Sequence, residues 1–279
     1  MPLLSPERLL DRYRDPDWVV VDCRFSLDDP GRGRRAYAAG HIPGARYAHL
    51  DEDLSGPIVR GVTGRHPLPD PDAFARTASL WGVSDRTFVV AYDDAGGGIA
   101  ARLWWLMRWI GHEAVAVLDG GWPAWIAAGG PVETDPPPPR AGMLTARINP
   151  SLVADVTEIE ARHLAPDFAL VDARAVERFA GRVEPIDPVA GHIPGARNVP
   201  FGGNLGPDGR FLPADELAAR YAPFVDGVAE RDIVCYCGSG VTAAHNLLAL
   251  AQAGFLEARL YPGSWSEWIT DPARPVGRS

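Results

Sequence analysis

Cys237 stands where an apolar run stops and a glycine-rich turn begins, in the stretch Ile233-Val234-Cys235-Tyr236-Cys237-Gly238-Ser239-Gly240-Val241-Thr242. Residues 233–236 are short, β-branched and aromatic, and read as a buried strand. Ala243 to Leu250 are good helix formers. The cysteine is therefore expected in a strand-to-helix loop, where the first N–H groups of the helix have no internal partner. Gly238 and Gly240 let the backbone curl so that successive N–H groups face one point. Such a loop favours negative charge, either a thiolate on Cys237 or an anion bound above it. Cys235, two residues earlier on the same strand side, is expected to pack in the core, although a C-x-C pair leaves a redox role open. Cys23 follows another apolar run without such a loop and is expected to be structural.

The elements that position this loop occur twice. "VVVDCR" at 19–24 returns as "ALVDAR" at 169–174, and "AGHIPGARY" at 39–47 returns as "AGHIPGARN" at 190–198. "VVAYDDAGGGIAARLWWL" at 89–106 matches "IVCYCGSGVTAAHNLLAL" at 233–250, and "VLDGGWPAW" at 117–125 matches "RLYPGSWSEW" at 259–268. Four blocks in one order, about 150 residues apart, indicate a duplicated domain. The period is too long for a solenoid, so each copy should own a core. Short apolar strands alternate with helical stretches, the pattern of a mainly parallel sheet flanked by helices, an α/β fold. The four prolines at 136–139 mark a stiff connection. We expect a first domain at 1–139, ending in this linker, and a second at 140–279. Aligning Tyr92 with Tyr236 sets Asp93 opposite Cys237, so only the second copy has a nucleophile. His41, His192, Asp22 and Asp172 belong to motifs present in both copies and are expected to serve the fold.

The chain has 279 residues, 46% of them hydrophobic, which is enough for two cores. A formal charge of −9 argues against general nucleic-acid or acidic-membrane binding. Three cysteines make no disulfide framework and lack zinc spacing. The charged start carries no signal-like or membrane-spanning run, so a reduced, cytoplasmic setting is expected. An anionic substrate would need its own local cations.

The blocks "VDAR", the two "GHIPGA" turns, "CGSGVTAAH" and "YPGSWSEW" resemble those of tandem-domain rhodanese-family sulfurtransferases over nearly the whole chain. The resemblance implies two rhodanese-like domains, the first non-catalytic, and neither a metal nor an organic cofactor. It implies that Cys237 takes sulfur from a small anionic donor as a persulfide and passes it to cyanide, a thiol or a thioredoxin-like acceptor. Cys-Gly-Ser-Gly-Val-Thr at 237–242 is similar to the loop of members that use 3-mercaptopyruvate, whereas thiosulfate-preferring members carry two cations there. Gly238, Gly240, Val241 and Thr242 then belong to the donor-binding loop.

The same resemblance makes Arg178 the principal anion-binding arginine, a role suited to a guanidinium fork. The mercaptopyruvate type has a second arginine just after a Glu-Pro that matches Glu184-Pro185. Here Ile186 and Asp187 follow, and Arg182 is the candidate replacement. It also implies a Ser-His-Asp relay of Ser239, His66 and Asp51, with a longer Asp51-to-His66 spacing than usual. Three alternatives stand beside this reading. A thiosulfate:cyanide sulfurtransferase differs only in donor, and a non-turnover persulfide carrier only in lacking steady-state activity. A Cys-loop phosphatase wants an arginine six residues after the cysteine, where this chain has Ala243.

Overall fold

The computed structural model describes residues 2–279. Two compact units form, one from the residues up to Gly56 with Leu68–Asn149 and Pro207–Phe211, the other from Pro57–Pro67, Pro150–Gly206 and Leu212–Ser279.

The first unit holds β1 (Leu3–Leu4), α1 (Pro6–Leu10), β2 (Trp18–Asp22), α2 (Arg32–Ala39), β3 (Arg46–Tyr47), α3 (Pro71–Leu80), β4 (Phe88–Tyr92), α4 (Ala100–Trp109), β5 (Val115–Leu118) and α5 (Gly121–Ala127). Its strands make a five-stranded sheet in the order β1-β5-β4-β2-β3, with every pair parallel. The second unit holds α6 (Val156–Arg162), β6 (Ala169–Asp172), α7 (Val176–Phe179), β7 (Arg197–Asn198), α8 (Ala214–Val225), β8 (Ile233–Tyr236), α9 (Thr242–Gln252), β9 (Arg259–Leu260) and α10 (Ser264–Trp268). Its four strands run parallel in the order β7-β6-β8-β9. The α/β architecture expected from the alternating pattern is therefore present in both units. Central strands such as β4 and β8 are buried on both faces, which explains their unbroken apolar composition.

Each unit has its own core. Val20, Val90, Tyr92, Leu118 and Trp125 pack in the first. Leu170, Val234, Tyr236, Trp265 and Trp268 pack in the second. The repeated motifs do the same structural job twice. Arg24 binds the Asp22 carboxylate and the carbonyl of Gly40, while Arg174 binds Asp172 and the carbonyl of Gly191. His41 lies against the Tyr37 ring with Nδ1 at the Tyr37 carbonyl, and His192 lies likewise against Phe179.

The connection between the copies differs from a free spacer. Arg46 donates to the carbonyls of Pro137 and Pro138. Beyond them Gly142, Arg147 and Asn149 donate to the carbonyls of Ser79, Ile110 and Trp109. Residues 140–149 thus run along the first unit, and the second begins at Pro150 rather than at 140.

Candidate active site

Strand β8 ends at Tyr236 and α9 begins at Thr242, so Cys237 sits at the carboxyl end of a central strand, where ligands bind in open parallel sheets. The side chain is buried, and Sγ accepts the N–H of Gly240 at 3.2 Å. Gly240 has φ +77°, and a Cβ there would meet the Pro262 carbonyl at 2.4 Å, so both conformation and space demand glycine. Gly238, Ser239 and Val241 are buried in the same turn, with Val241 as N-cap of α9 and Thr242 as its first residue.

The loop is pinned from below by the turn after β9. The N–H of Cys237 donates to Ser264 Oγ at 3.1 Å, and that hydroxyl donates to the Tyr261 carbonyl at 2.9 Å. The carbonyls of Cys237 and Gly238 accept the N–H groups of Trp265 and Ser266. Ser264 is the one described non-glycine residue with positive φ, +55°.

The segment Pro57–Pro67 joins the site from one side. His66 Nδ1 lies 2.7 Å from Ser239 Oγ, and both residues are buried. The N–H of Arg65 donates to Ser266 Oγ at 3.1 Å. Arg65 Nη1 pairs with Asp187 Oδ1. The other Asp187 oxygen accepts from Arg178 Nη2 at 3.1 Å, and Arg178 also binds Glu184 through Nη2 at 2.7 Å and Nε at 3.1 Å. A Cβ placed on Gly238 would lie 2.8 Å from Arg65 Nη2 and 3.5 Å from Arg178 Nη2. Burial lowers the pKa of Arg65, against an opposing pull from Cys237.

Ser239, His66 and Arg178 thus lie with the Cys237 loop. Arg182 is exposed after α7, and the guanidinium groups over Gly238 belong to Arg65 and Arg178. Asp51 is an exposed residue of the first unit, with its N–H donated to His49 Nδ1. Arg65 and Ser264 were missed. The available signals were the position of Arg65 beside His66 and that of Ser264 opposite Gly121 in the repeat.

The other cysteines are chemically different. Burial, and for Cys235 the neighbouring Cys237, pushes the thiols of Cys23 and Cys235 well above the ordinary range. At the position equivalent to Cys237, Asp93 fills its own loop. Its carboxylate accepts the N–H groups of Ala95, Gly97, Ile99 and Ala100, each at 2.8 Å. Among the described residues no group of three His, Cys, Asp or Glu side chains could hold a metal, and no helix is long and apolar enough to cross a membrane.

A cysteine at the head of a parallel-sheet loop, in each of two such folds or its aspartate substitute, defines a class. A family model described as rhodanese-like domain matches residues 5–128 and again 155–271, and the chain belongs to that family. It is 52% identical over 275 residues to a Pseudomonas aeruginosa protein named a probable 3-mercaptopyruvate sulfurtransferase, covering 98% of this chain and 97% of that one. It is 44% identical over 260 residues to a Mycobacterium tuberculosis protein, SseB, whose name proposes a thiosulfate sulfurtransferase, covering 93% and 90%. The crystal structure of SseA from Escherichia coli, described as a 3-mercaptopyruvate sulfotransferase, superposes with a TM-score of 0.81 at 33% identity, covering 96% of this chain and all of that one.

Proposed function

We propose that this chain is a sulfurtransferase that moves sulfur from 3-mercaptopyruvate to a thiol or cyanide through a persulfide on Cys237. The observation that carries the reading is the pairing of a loop-bound thiol, accepting the Gly240 N–H, with two guanidinium groups across Gly238. The thiol supplies a nucleophile, and the cations suit a donor that carries a carboxylate.

The Cys237 thiolate attacks the donor sulfur and an S–S bond forms. The C–S bond breaks, its electron pair goes to the carbon, and the enolate of pyruvate leaves. A proton, originally on the donor thiol, ends on that carbon, leaving an anionic persulfide. Ser239 and His66, 2.7 Å apart, are the groups suited to carry it. In the second half-reaction an acceptor thiolate or cyanide attacks the outer sulfur, the S–S bond breaks, and Cys237 leaves as thiolate. Gly238, Gly240, Val241 and Thr242 shape the pocket for the outer sulfur, and Arg178 binds the donor. A thioredoxin-like protein is a suitable acceptor, and the cytoplasm a suitable compartment for a chemistry that needs a free thiol. On this reading the first domain, in which Asp93 replaces cysteine, is non-catalytic.

The test is a donor-loading experiment. Incubation with 3-mercaptopyruvate should release pyruvate and add one sulfur to the peptide containing Cys237, with the sulfur lost again on addition of a thiol. Sulfur found on Cys23 or Cys235 instead, or on none, would sink the reading.

A further inference from the structure

We infer that Arg65 is a donor-binding residue beside Arg178, and that Asp187 positions both and makes the site selective for a monoanionic donor over a dianionic one. The inference rests on the sulfur-transfer reading above and names what sets its donor.

Six side chains make the local charge, Arg65, Arg174 and Arg178 against Asp172, Glu184 and Asp187, with Arg174 held by Asp172 and, at 3.5 Å, by Glu184. Arg65 and Arg178 share Asp187, one on each carboxylate oxygen, and Arg178 shares Glu184 as well. Asp187 and Glu184 have side chains only 3% exposed, so water does little to screen them. The three cations are therefore met by three anions, and the group offers direction without an excess of positive charge. A carboxylate brings one negative charge to the open edges of the guanidinium groups. Thiosulfate brings two, with no surplus cation to meet the second.

Arg65 keeps binding capacity that the fold does not use. Its Nε is buried and has no hydrogen-bond partner among the described residues. A buried donor without a partner is costly, and a ligand oxygen would remove that cost. Nη2 of the same group overhangs Gly238, next to the nucleophile. The Arg65 backbone is fixed by Ser266, and its guanidinium by Asp187, so the fork is held before any donor arrives. Glycine at 238 leaves room for it.

Steady-state kinetics on the full chain with mercaptopyruvate and thiosulfate test this, using one acceptor throughout. Arg65→Gln should raise the KM for mercaptopyruvate about tenfold or more, with a smaller fall in kcat, and Arg65→Lys should recover part of the loss. Asp187→Asn should raise the ratio of kcat/KM for thiosulfate over mercaptopyruvate about tenfold. A merely structural role would lower both activities together and leave the ratio still. Should Asp187→Asn fail to fold, inhibition of the wild type decides: pyruvate should compete with donor at lower concentration than sulfate does. An unchanged donor KM in Arg65→Gln, an unmoved ratio in Asp187→Asn, or stronger inhibition by sulfate than by pyruvate would overturn the assignment. Absence of any persulfide on wild-type Cys237, read by mass spectrometry before the kinetics, would instead defeat the sulfur-transfer reading and this inference with it.

Discussion

Ser264 holds the N–H of Cys237 from a turn with the same backbone angle that its counterpart Gly121 adopts in the first unit. Both have φ +55°, and both precede a tryptophan whose N–H binds the carbonyl of the loop residue, Asp93 or Cys237. In the first unit a Cβ at this turn would meet the Asp93 carbonyl at 2.2 Å, and glycine is the residue that fits. The second unit carries a side chain there despite the left-handed conformation. Its hydroxyl is the compensation, because it satisfies a buried N–H under the nucleophile.

Two substitutions separate strain from hydrogen bonding. Ser264→Ala keeps the unfavourable φ and strands the Cys237 N–H, at a cost of roughly 1–3 kcal/mol. Ser264→Gly strands the same N–H but relieves about 1 kcal/mol of left-handed strain. Thermal unfolding should therefore rank wild type above Ser264→Gly, and that above Ser264→Ala. Sulfur transfer should fall in both, and full activity in Ser264→Gly would show that the hydroxyl does not position the loop.

Cys237→Ser should keep the fold and lose persulfide formation, since an alcohol cannot form the S–S bond. Alkylation gives an independent view of the same site. The raised pKa values of Cys23 and Cys235 keep those thiols protonated near neutral pH, because a thiol ionises only as pH climbs towards its own pKa. Iodoacetamide should mark Cys237 in the native chain and spare the other two until the protein is unfolded. Equal labelling of all three in the folded state would contradict the raised pKa values of Cys23 and Cys235.

Arg178→Ala should raise the donor KM about ten- to a hundredfold, the usual worth of a charge-assisted contact of roughly 1.5–3 kcal/mol. Stability should fall too, since Glu184 loses its two short contacts with the guanidinium. Arg178→Lys should restore stability more fully than KM, because an ammonium supplies charge without a planar fork. Donor KM unchanged in both variants would remove Arg178 from the binding site.

Ser239→Ala and His66→Gln break the 2.7 Å pair from either side. If the pair carries a proton in the donor half-reaction, kcat should fall by about a hundredfold or more in each, with the double variant no worse than either single one. The second half-reaction, measured from preloaded persulfide to a thiol, should change far less. Additive losses would mean that the two residues act separately.

The Cys237 loop and the parallel sheets were legible because each is written locally or twice, whereas the Ser239–His66 pair, 173 residues apart, was implied by the family resemblance alone. A strand ending in Cys-Gly-Ser-Gly announces its loop, and two copies of one pattern check each other. Arg65 and Asp187 were not legible in the same way. Their meeting depends on residues 57–67 packing with the second unit, a long-range event to which no periodicity in that segment points. Arg182, close in sequence to Arg178, is exposed after α7, which its spacing alone does not disclose. The start of the second unit was displaced because backbone hydrogen bonds, invisible to composition, tie residues 142–149 to the first.

Asp93 gives the molecule a built-in reference. Its carboxylate fills the first loop covalently and can never be handed on, whereas in the proposed reaction a sulfur on Cys237 comes and goes with each turnover. The amides of Ala95, Gly97, Ile99 and Ala100 should therefore exchange hydrogen at one rate whatever the state of the enzyme. Those of residues 239–243 should slow on loading with donor and recover on discharge. One chain thus reports sulfur occupancy against its own constant standard, with no second protein needed for calibration.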